Sequence, residues 1–571
     1  MEKVKAWLDS LGWWKYVIAA VVIYGVTVGA IAVAAHMIME LFGHQVNVGI
    51  FSLLKAAVVA DLIIAVAIYV GNENLFIHGK TASTTHGSAD FMGPVDLNKA
   101  YTVAKPKVGP GMPVGYKPGS NKAIYIDPDP FGNGNILIVG ETGKGKTCSL
   151  IMPAILEFCR HGDSMVVTDP KGELYASFAA TLSTNGYSVY PIILKRDGMQ
   201  HSIRFNPLHH IRDGVDIREQ VDLLFAAAGV TSSGEFWVRL AKQLLMTLIE
   251  YVRTVFNEPT YGDVYDFLVQ YGAEDMRSMF SGLPENHPAR SYWGPISGSD
   301  DKILASAITE LGTVLSIFAQ PEVKTLTACS DISLGIPAME KAAIFIICDS
   351  ESGTYDSLTT MFLSSCFRDV IRHQDDVIAE VGELRRVRFI LDEIANIAGI
   401  RDIERKLNTC RSRKVSAIAA CQTIGQLKHI ASDPQRYEEL IGAFSYSIVL
   451  GSSDITTMQH FSTMAGESTV TDTAHDSSGA VRYTYTSREL IKPEEIRRIP
   501  RNELILFHSG AQPLRLTKLN FNDFVVDRLL KMDYRRRPPH SISTDGNAPT
   551  SPNRHHKPTD SDDDTFSKPR F

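Results

Sequence analysis

The sequence has no excess of basic residues and no cysteine pair with the spacing of a redox or zinc site. Its 571 residues include 57 lysines and arginines against 64 aspartates and glutamates, a formal net charge of −7. This balance excludes a protein whose whole surface is basic, although it allows DNA to be held locally in a channel. The seven cysteines are odd in number and include no Cys-x-x-Cys pair. We interpret them as small buried residues in a reducing compartment.

Charge is also absent from one long N-terminal segment. Residues 17–39 contain no Asp, Glu, Lys or Arg, and residues 48–70 are apolar apart from Lys55 and Asp61. Each segment is long enough to cross a bilayer, so we predict transmembrane helices over about residues 14–39 and 48–70. A cleaved signal peptide is disfavoured, because the first segment is too long and a second follows closely. Asp61 either contacts another membrane protein or subunit, or is neutralised or paired with Lys55.

Lysines flank the outer ends of the two predicted spans. Lys3, Lys5 and Lys15 precede the first span and Lys80 follows the second, whereas the connecting residues 40–47 contain neither lysine nor arginine. Positive flanks stay in the cytoplasm, so both termini are predicted to be cytoplasmic and the external loop to be very short.

A phosphate-binding motif, GETGKGKT at residues 140–147, directly follows the apolar run NILIV. The pattern predicts a strand, a glycine turn whose N–H groups surround phosphates, and a helix. Lys146 is expected to reach the β- and γ-phosphates of ATP, and the Thr147 hydroxyl to hold Mg²⁺. A chain of this length contains such a match by chance about 2% of the time. The predicted nucleotide-binding residues are Gly140, Glu141, Thr142, Gly143, Lys144, Gly145, Lys146 and Thr147.

The rest of the chain reads as an α/β protein. Strands are predicted at eight mostly apolar runs, several of them continuously apolar, as in buried parallel strands: NILIVG, SMVVTDP, SVYPIIL, AAIFIICD, VRFILDE, VSAIAACQ, YSIVLGS and ELILFHSG. Helical patterns between many of them favour a doubly wound sheet. Residues 212–318 lack buried strand runs and show helical periodicity, which predicts an inserted all-helical domain. Residues 535–571 are poor in apolar residues and are predicted to be a disordered tail.

Two further patterns narrow the type of nucleotide site. The run VRFIL is followed directly by Asp392 and Glu393. In a Walker B arrangement Asp392 holds the Mg²⁺ shell and Glu393 polarises the attacking water. The alternative is that both acids cap the following helix. The next strand run ends at Gln422, a position suited to sensing the γ-phosphate.

Arg411 and Arg413 lie in the loop before the Gln422 strand. One of them is a candidate arginine finger that reaches a neighbouring subunit's site. The alternative for both is ordinary surface charge. Lys406 and Lys414 are weak candidates for contacts with DNA phosphates.

Together these motifs resemble the TraG/TraD family of type IV secretion coupling ATPases. The resemblance covers about residues 80–520 and follows the family's order. Its motifs besides the phosphate loop are HGSADF (86–91), VVTDPKGELY (166–175), RFNPL (204–208), EFWVRLA (235–241), LDEIANI (391–397) and ACQTIGQL (420–427). Two departures are the very short external loop and the short tail.

The resemblance implies a RecA/FtsK-like P-loop motor domain with an inserted all-alpha domain, preceded by two transmembrane helices. It implies a homo-hexameric ATPase in the cytoplasmic membrane of a bacterium. Its implied partners are a relaxase with single-stranded DNA, or secreted effector proteins, and the components of a type IV secretion channel. By family position Lys146, Glu393 and Gln422 are catalytic, and Arg411 is preferred over Arg413 as the finger. Thr147 and Asp392 are the implied Mg²⁺ ligands.

The expected domain division follows from these predictions. The expected segments are a membrane region (1–78), a nucleotide-binding domain in two parts (79–211 and 319–534), the all-alpha domain (212–318) and the tail (535–571). Two rival functions stay open at this point. One is a receptor and scaffold whose ATP cycle only gates handover of cargo to other ATPases. The other, an FtsK-like chromosome pump, is disfavoured by DPKGELY and the helical insertion.

Overall fold

The computed structural model describes residues 86–126, 134–230, 236–348, 353–396, 403–430, 437–475, 481–526, 529 and 531–537. Both predicted membrane spans and most of the predicted tail lie outside these residues. The chain divides into two compact units. The larger unit runs from Ala89 to Gly466 and resumes at Glu489, and the smaller unit includes Glu467–Arg488.

Strands of the described residues form one large sheet and one hairpin. They are β1 (Thr102–Ala104), β2 (Met112–Tyr116), β3 (Ala123–Ile126), β4 (Ile136–Val139), β5 (Ser164–Thr168), β6 (Ser188–Leu194), β7 (Ala342–Cys348), β8 (Val387–Leu391), β9 (Val415–Cys421), β10 (Tyr446–Val449), β11 (Glu467–His475), β12 (Val481–Glu489), β13 (Glu503–His508) and β14 (Leu514–Thr517). All eight runs predicted as strands are strands, so that part of the prediction is confirmed.

The large sheet has the order β1-β3-β2-β14-β13-β10-β4-β9-β8-β5-β7-β6. The seven strands from β10 to β6 are parallel to their neighbours. The five strands from β1 to β13 extend this parallel core with antiparallel pairs. The sequence predicted the strands of the parallel core and β13, but not the other four strands of this antiparallel extension or its pairing.

Helices cover the sheet and fill the long connection between β6 and β7. They are α1 (Pro94–Ala100), α2 (Met152–His161), α3 (Glu173–Thr184), α4 (Gly214–Ala227), α5 (Phe236–Val255), α6 (Tyr261–Gln270), α7 (Ala273–Ser281), α8 (Pro288–Trp293), α9 (Asp301–Leu315), α10 (Pro321–Leu326), α11 (Ile336–Met339), α12 (Asp356–Ala379), α13 (Ile403–Thr409), α14 (Tyr437–Gly442), α15 (Ile455–Ala465) and α16 (Pro493–Arg497). A π-helical turn, Thr147–Ile151, leads into α2.

Alternate residues of the central strands point to opposite faces of the sheet. In β4, Leu137 and Val139 belong to one buried apolar cluster, and Ile136 and Ile138 to another. A strand places successive side chains on opposite faces, so both faces of this sheet are covered, as in a doubly wound fold. The predicted α/β fold is confirmed.

The helices of the predicted insertion are α4 to α9, and no strand interrupts them among the described residues. Its buried side chains continue the apolar cluster that contains Leu137 and Val139. One stretch, Asp301–Ala319, is long and apolar enough to cross a membrane by length and composition. Its residues Leu304 and Leu311 are fully buried, so it is a core helix of the insertion. The domain boundaries themselves stay a prediction.

Candidate nucleotide-binding site

Four parallel strands end at one edge of the sheet, and three of them are followed directly by a polar side chain. Val139 pairs with Cys421, and Leu391 pairs with both Ala419 and Thr168. Because the strands are parallel and in this register, their carboxyl ends lie side by side. The residues that follow them are Gly140, Asp392, Gln422 and Asp169.

The phosphate loop leaves β4 in a backbone conformation that glycine favours. Gly143 and Gly145 have φ values of +80° and +84°, in the left-handed region. The Lys146 side chain is only 8% exposed, and its ammonium donates to the Gly140 carbonyl. The helical turn begins at Thr147. The loop therefore curls around its own lysine, as a phosphate-binding loop does.

Thr147 and Asp392 lie within hydrogen-bond distance of each other. The Thr147 hydroxyl donates to Oδ2 of Asp392 at 3.1 Å. Burial raises the pKa of the Asp392 carboxyl to about 6. The Thr147 hydrogen bond and Lys146 lower this pKa, whereas the neighbouring carboxylates raise it. A hydroxyl and a carboxylate are the hard oxygen ligands that Mg²⁺ prefers, so these two side chains fit that ion.

Glu393 is held in an unusual backbone conformation beside Gln422. Its φ of +69° is in the left-handed region, which costs free energy for a residue other than glycine. Gln422 donates through Nε2 to Oε2 of Glu393 at 3.3 Å. The other oxygen, Oε1, is buried and has no hydrogen-bond donor among the described residues. An oriented carboxylate with an unused acceptor is suited to bind and activate a water molecule.

Asp169 is a further acidic residue at this edge. It is 2% exposed, and its carboxylate accepts a hydrogen bond from the Tyr175 N–H at 2.8 Å. Burial raises the pKa of this carboxyl. Asp169 belongs to the DPKGELY motif, and no role for it was predicted from the sequence. Asp169 directly follows an apolar strand run, as Asp392 does, and this position could have indicated that it belongs to the site.

The arginine loop lies at the opposite end of the strands. Arg411–Arg413 form a 3-10 turn before the amino end of β9, whereas Gln422 follows its carboxyl end. Seven strand residues span roughly 20 Å, so Arg411 lies far from the phosphate loop of its own chain. The loop lines a shallow, open depression of about 490 Å³.

Three further basic candidates, Arg413, Lys406 and Lys414, lie close to acceptors within the protein. Arg413 contacts both carboxylate oxygens of Asp375, at 2.6 and 3.1 Å. Lys406 pairs with Glu219. The ammonium of Lys414 lies 3.4 Å from a backbone carbonyl, that of Leu384. Arg413 and Lys406 are therefore engaged in structural contacts.

Two side chains from the C-terminal half hold the outer side of the phosphate loop. The Glu141 carboxylate accepts hydrogen bonds from the Ser453 N–H and hydroxyl, which lower the pKa of Glu141. The Lys518 ammonium donates to the Lys144 carbonyl at 2.7 Å. Sequence analysis missed Ser453 and Lys518, because neither stands in a recognisable motif.

Comparisons with known proteins agree on one family. A family described as "Type IV secretory system Conjugative DNA transfer" matches residues 97–544. Protein VirD4 of Agrobacterium fabrum is 24% identical over 415 residues, covering 69% of this chain and 59% of VirD4. A probable conjugal transfer protein TraG of Sinorhizobium fredii is 24% identical over 513 residues, covering 82% of this chain and 76% of that protein. The chain thus spans about three fifths of the VirD4 relative.

Solved structures share the fold. The unbound bacterial conjugative coupling protein TrwBdeltaN70 has a TM-score of 0.58 and 18% identity, covering 77% of this chain and 98% of that chain. The plasmid coupling protein TrwB in complex with the ATP analogue ADPNP has a TM-score of 0.59 and 16% identity. That match covers 82% of this chain and 100% of the TrwB chain. At this level of identity the likeness shows the fold alone.

Proposed function

This chain belongs to the type IV secretory system conjugative DNA transfer family, and we propose that it is a coupling ATPase. It recruits relaxase–DNA or protein substrates and uses ATP hydrolysis to deliver them to a secretion channel. The observation that carries this proposal is the meeting of three elements at one sheet edge. They are the phosphate loop, the Thr147–Asp392 contact and the Glu393–Gln422 contact.

Binding of ATP begins at the phosphate loop. The N–H groups around Gly143 and Gly145 face the phosphates, and Lys146 exchanges the Gly140 carbonyl for phosphate oxygens. Thr147 and Asp392 would hold Mg²⁺, which would supply positive charge to offset that of the phosphates. Asp392 would bind that ion in its ionised form, although burial raises the pKa of its carboxyl.

Hydrolysis requires an oriented water. Glu393 accepts a hydrogen bond from it through Oε1, the carboxylate oxygen that has no donor among the described residues. Gln422 holds the other oxygen and so fixes the direction of the carboxylate. Because Gln422 ends the strand next to Glu393, loss of the γ-phosphate is transmitted to β9.

Arg411 acts in trans. It lies at the far end of β9 from its own phosphate loop, so it serves the site of a neighbouring copy. Such a group stabilises the transition state and so raises the rate of hydrolysis by a factor of ~10³–10⁵. This arrangement needs a closed ring, for which we propose a homo-hexamer anchored in the cytoplasmic membrane by the two N-terminal spans. DNA is gripped in its channel through phosphates.

The test is the ATPase activity of the full-length chain in detergent, with and without single-stranded and double-stranded DNA. Lys146→Ala and Arg411→Ala are each expected to abolish turnover. A mixture of the two inactive variants is expected to regain part of it. In the mixture an intact Arg411 of one copy faces an intact phosphate loop of the next.

Two results would change the proposal. If Arg411→Ala alone is inactive and the mixture is inactive as well, Arg411 acts within its own chain or is needed for folding. If ATP binds but turnover is absent or indifferent to DNA, the protein is instead a receptor that gates handover of cargo. Protein cargo is then the next ligand to test.

A further inference from the structure

Lys518 is fixed against the phosphate loop although it lies at the other end of the sequence. It follows β14, in the antiparallel extension of the sheet. Its ammonium donates to the Lys144 carbonyl at 2.7 Å and to the Arg501 carbonyl at 2.8 Å. Its backbone N–H donates to the Asn502 carbonyl at 2.7 Å. Both its backbone and its side chain are therefore held in place.

The contact with Lys144 determines how the next peptide group is turned. A trans peptide is planar, so its C=O and N–H point in opposite directions. Lys518 holds the Lys144 carbonyl on its own side of the loop, so the N–H of Gly145 points away from Lys518, to the side expected to be the inner side of a phosphate-binding loop. Gly145 adopts a φ of +84°, which permits this orientation. The N–H groups on that inner side are those that surround phosphates.

We propose that Lys518 is a positioning residue for the nucleotide, which aims the Gly145 N–H at a phosphate and adds positive charge behind the loop. This inference rests on the proposed ATP binding and deepens it. It assigns to the antiparallel extension a part in the nucleotide site.

Electrostatics around Lys518 support a ligand of negative charge. Burial, and after it the positive charge of Lys144, lowers the pKa of the Lys518 ammonium to about 8. The Cys148 thiol acts in the opposite direction. Arg501 presents its carbonyl to the ammonium. A phosphate bound in the loop favours the charged ammonium, so by linkage nucleotide affinity falls as the pH rises through about 8.

The experiment measures the dissociation constant of a fluorescent ADP analogue with Mg²⁺, on the full-length chain in detergent, at pH 7 and pH 9. Lys518→Met removes the donor and the charge. Lys518→Arg keeps both and does not titrate in this range. Lys302→Met, at an exposed position in α9, is the matched control. Thermal unfolding of each variant reports its folding, and Lys518→Gln replaces Lys518→Met if the latter does not fold.

We expect Lys518→Met to bind roughly tenfold more weakly than the wild type at pH 7, the effect of losing a charge-assisted hydrogen bond. The wild type is expected to lose affinity between pH 7 and 9, and Lys518→Arg to keep it. The inference is overturned if Lys518→Met binds within twofold of the wild type and of Lys302→Met. It is also overturned if Lys518→Arg loses affinity at pH 9 as the wild type does, because the titrating group would then not be Lys518. A wild type that binds no better than Lys146→Ala overturns the proposed function as well.

Discussion

Gln422 donates a hydrogen bond to Glu393 at 3.3 Å and thereby joins the ends of β9 and β8. Glu393 has a φ of +69° in this arrangement. Strained backbone persists where surrounding contacts hold it, and it is concentrated at functional sites. The pair thus links a carboxylate suited to activate water with a strand whose other end carries the arginine loop.

Replacing Glu393 by glutamine tests the proposed base. Glu393→Gln keeps the shape and the position of the side chain but removes the acceptor of a proton. We expect the rate of ATP hydrolysis to fall by roughly 10²–10⁴, because general base catalysis contributes about that factor. The affinity for ATP is expected to stay within a few-fold of the wild type, as measured with a fluorescent analogue. A variant that hydrolyses ATP at the wild-type rate would exclude Glu393 as the base.

Gln422 is predicted to act through Glu393 rather than on the nucleotide alone. Gln422→Ala removes the hydrogen bond to Oε2 and lets the Glu393 carboxylate turn. We expect kcat to fall about tenfold with little change in KM, since loss of an orienting hydrogen bond costs roughly 1–1.5 kcal/mol.

The double variant Glu393→Gln/Gln422→Ala distinguishes this role from an independent one. If Gln422 only orients Glu393, the double variant hydrolyses ATP no more slowly than Glu393→Gln. If the double variant is slower by the product of the two single reductions in rate, Gln422 contacts the nucleotide separately.

The sequence predicted those parts of the site that stand directly after apolar strand runs. Asp392, Glu393 and Gln422 follow β8 and β9, and the carboxyl ends of parallel strands share one edge of a sheet. The phosphate loop follows β4 in the same way. Once these runs were recognised as parallel strands, their meeting at one edge followed without knowledge of the packing.

Contacts from distant segments could not be predicted in this way. Lys518 reaches the phosphate loop because β14 pairs with β13, β13 pairs with β10, and β10 pairs with β4. Nothing in the residues around Lys518 indicates that pairing, since β14 is short and only partly apolar. Ser453 reaches Glu141 because β10, which precedes it, is the parallel neighbour of β4. Long-range pairing is decided by the packing of the whole sheet.

The pH dependence of stability tests the environment of Asp392. Its carboxyl has a pKa of about 6 in the folded protein against 3.8 for an ordinary aspartate. Between these values the folded state binds one more proton than the unfolded state, so the free energy of unfolding falls as the pH rises from about 4 to 6. The loss attributable to this group is at most roughly 3 kcal/mol.

Asp392→Asn carries no such titration. The measurement is the denaturant midpoint of unfolding without nucleotide. Between pH 4 and 6 we expect the wild type to lose stability relative to Asp392→Asn. Asp96→Asn, which removes an exposed carboxylate, is expected to parallel the wild type. Mg²⁺ with ADP requires the ionised carboxylate, so it stabilises the wild type more at pH 7 than at pH 5. Parallel curves for the wild type and Asp392→Asn would contradict the raised pKa.

A buried ion pair joins the helical insertion to the rest of the larger unit. Asp216 in α4 is 1% exposed, and its carboxylate accepts hydrogen bonds from Arg372 of α12 at 2.6 and 2.8 Å. Arg368 lies 3.7 Å away. Removing one partner of a buried pair leaves a charge without compensation, so Asp216→Ala is expected to cost about 3–5 kcal/mol.

Replacing both partners together separates the pair from the packing around it. Asp216→Leu/Arg372→Met removes both charges, and we expect it to be less destabilised than Asp216→Ala, because apolar side chains avoid the desolvation of ions. Asp222→Ala is the matched control, since the Asp222 side chain is 25% exposed, whereas that of Asp216 is 1% exposed. An ion pair of an exposed carboxylate contributes about 0–1 kcal/mol. The measurement is the shift of the urea midpoint. If Asp216→Ala costs no more than Asp222→Ala, the two helices are held by apolar packing alone, and the ion pair contributes nothing to the attachment of the insertion.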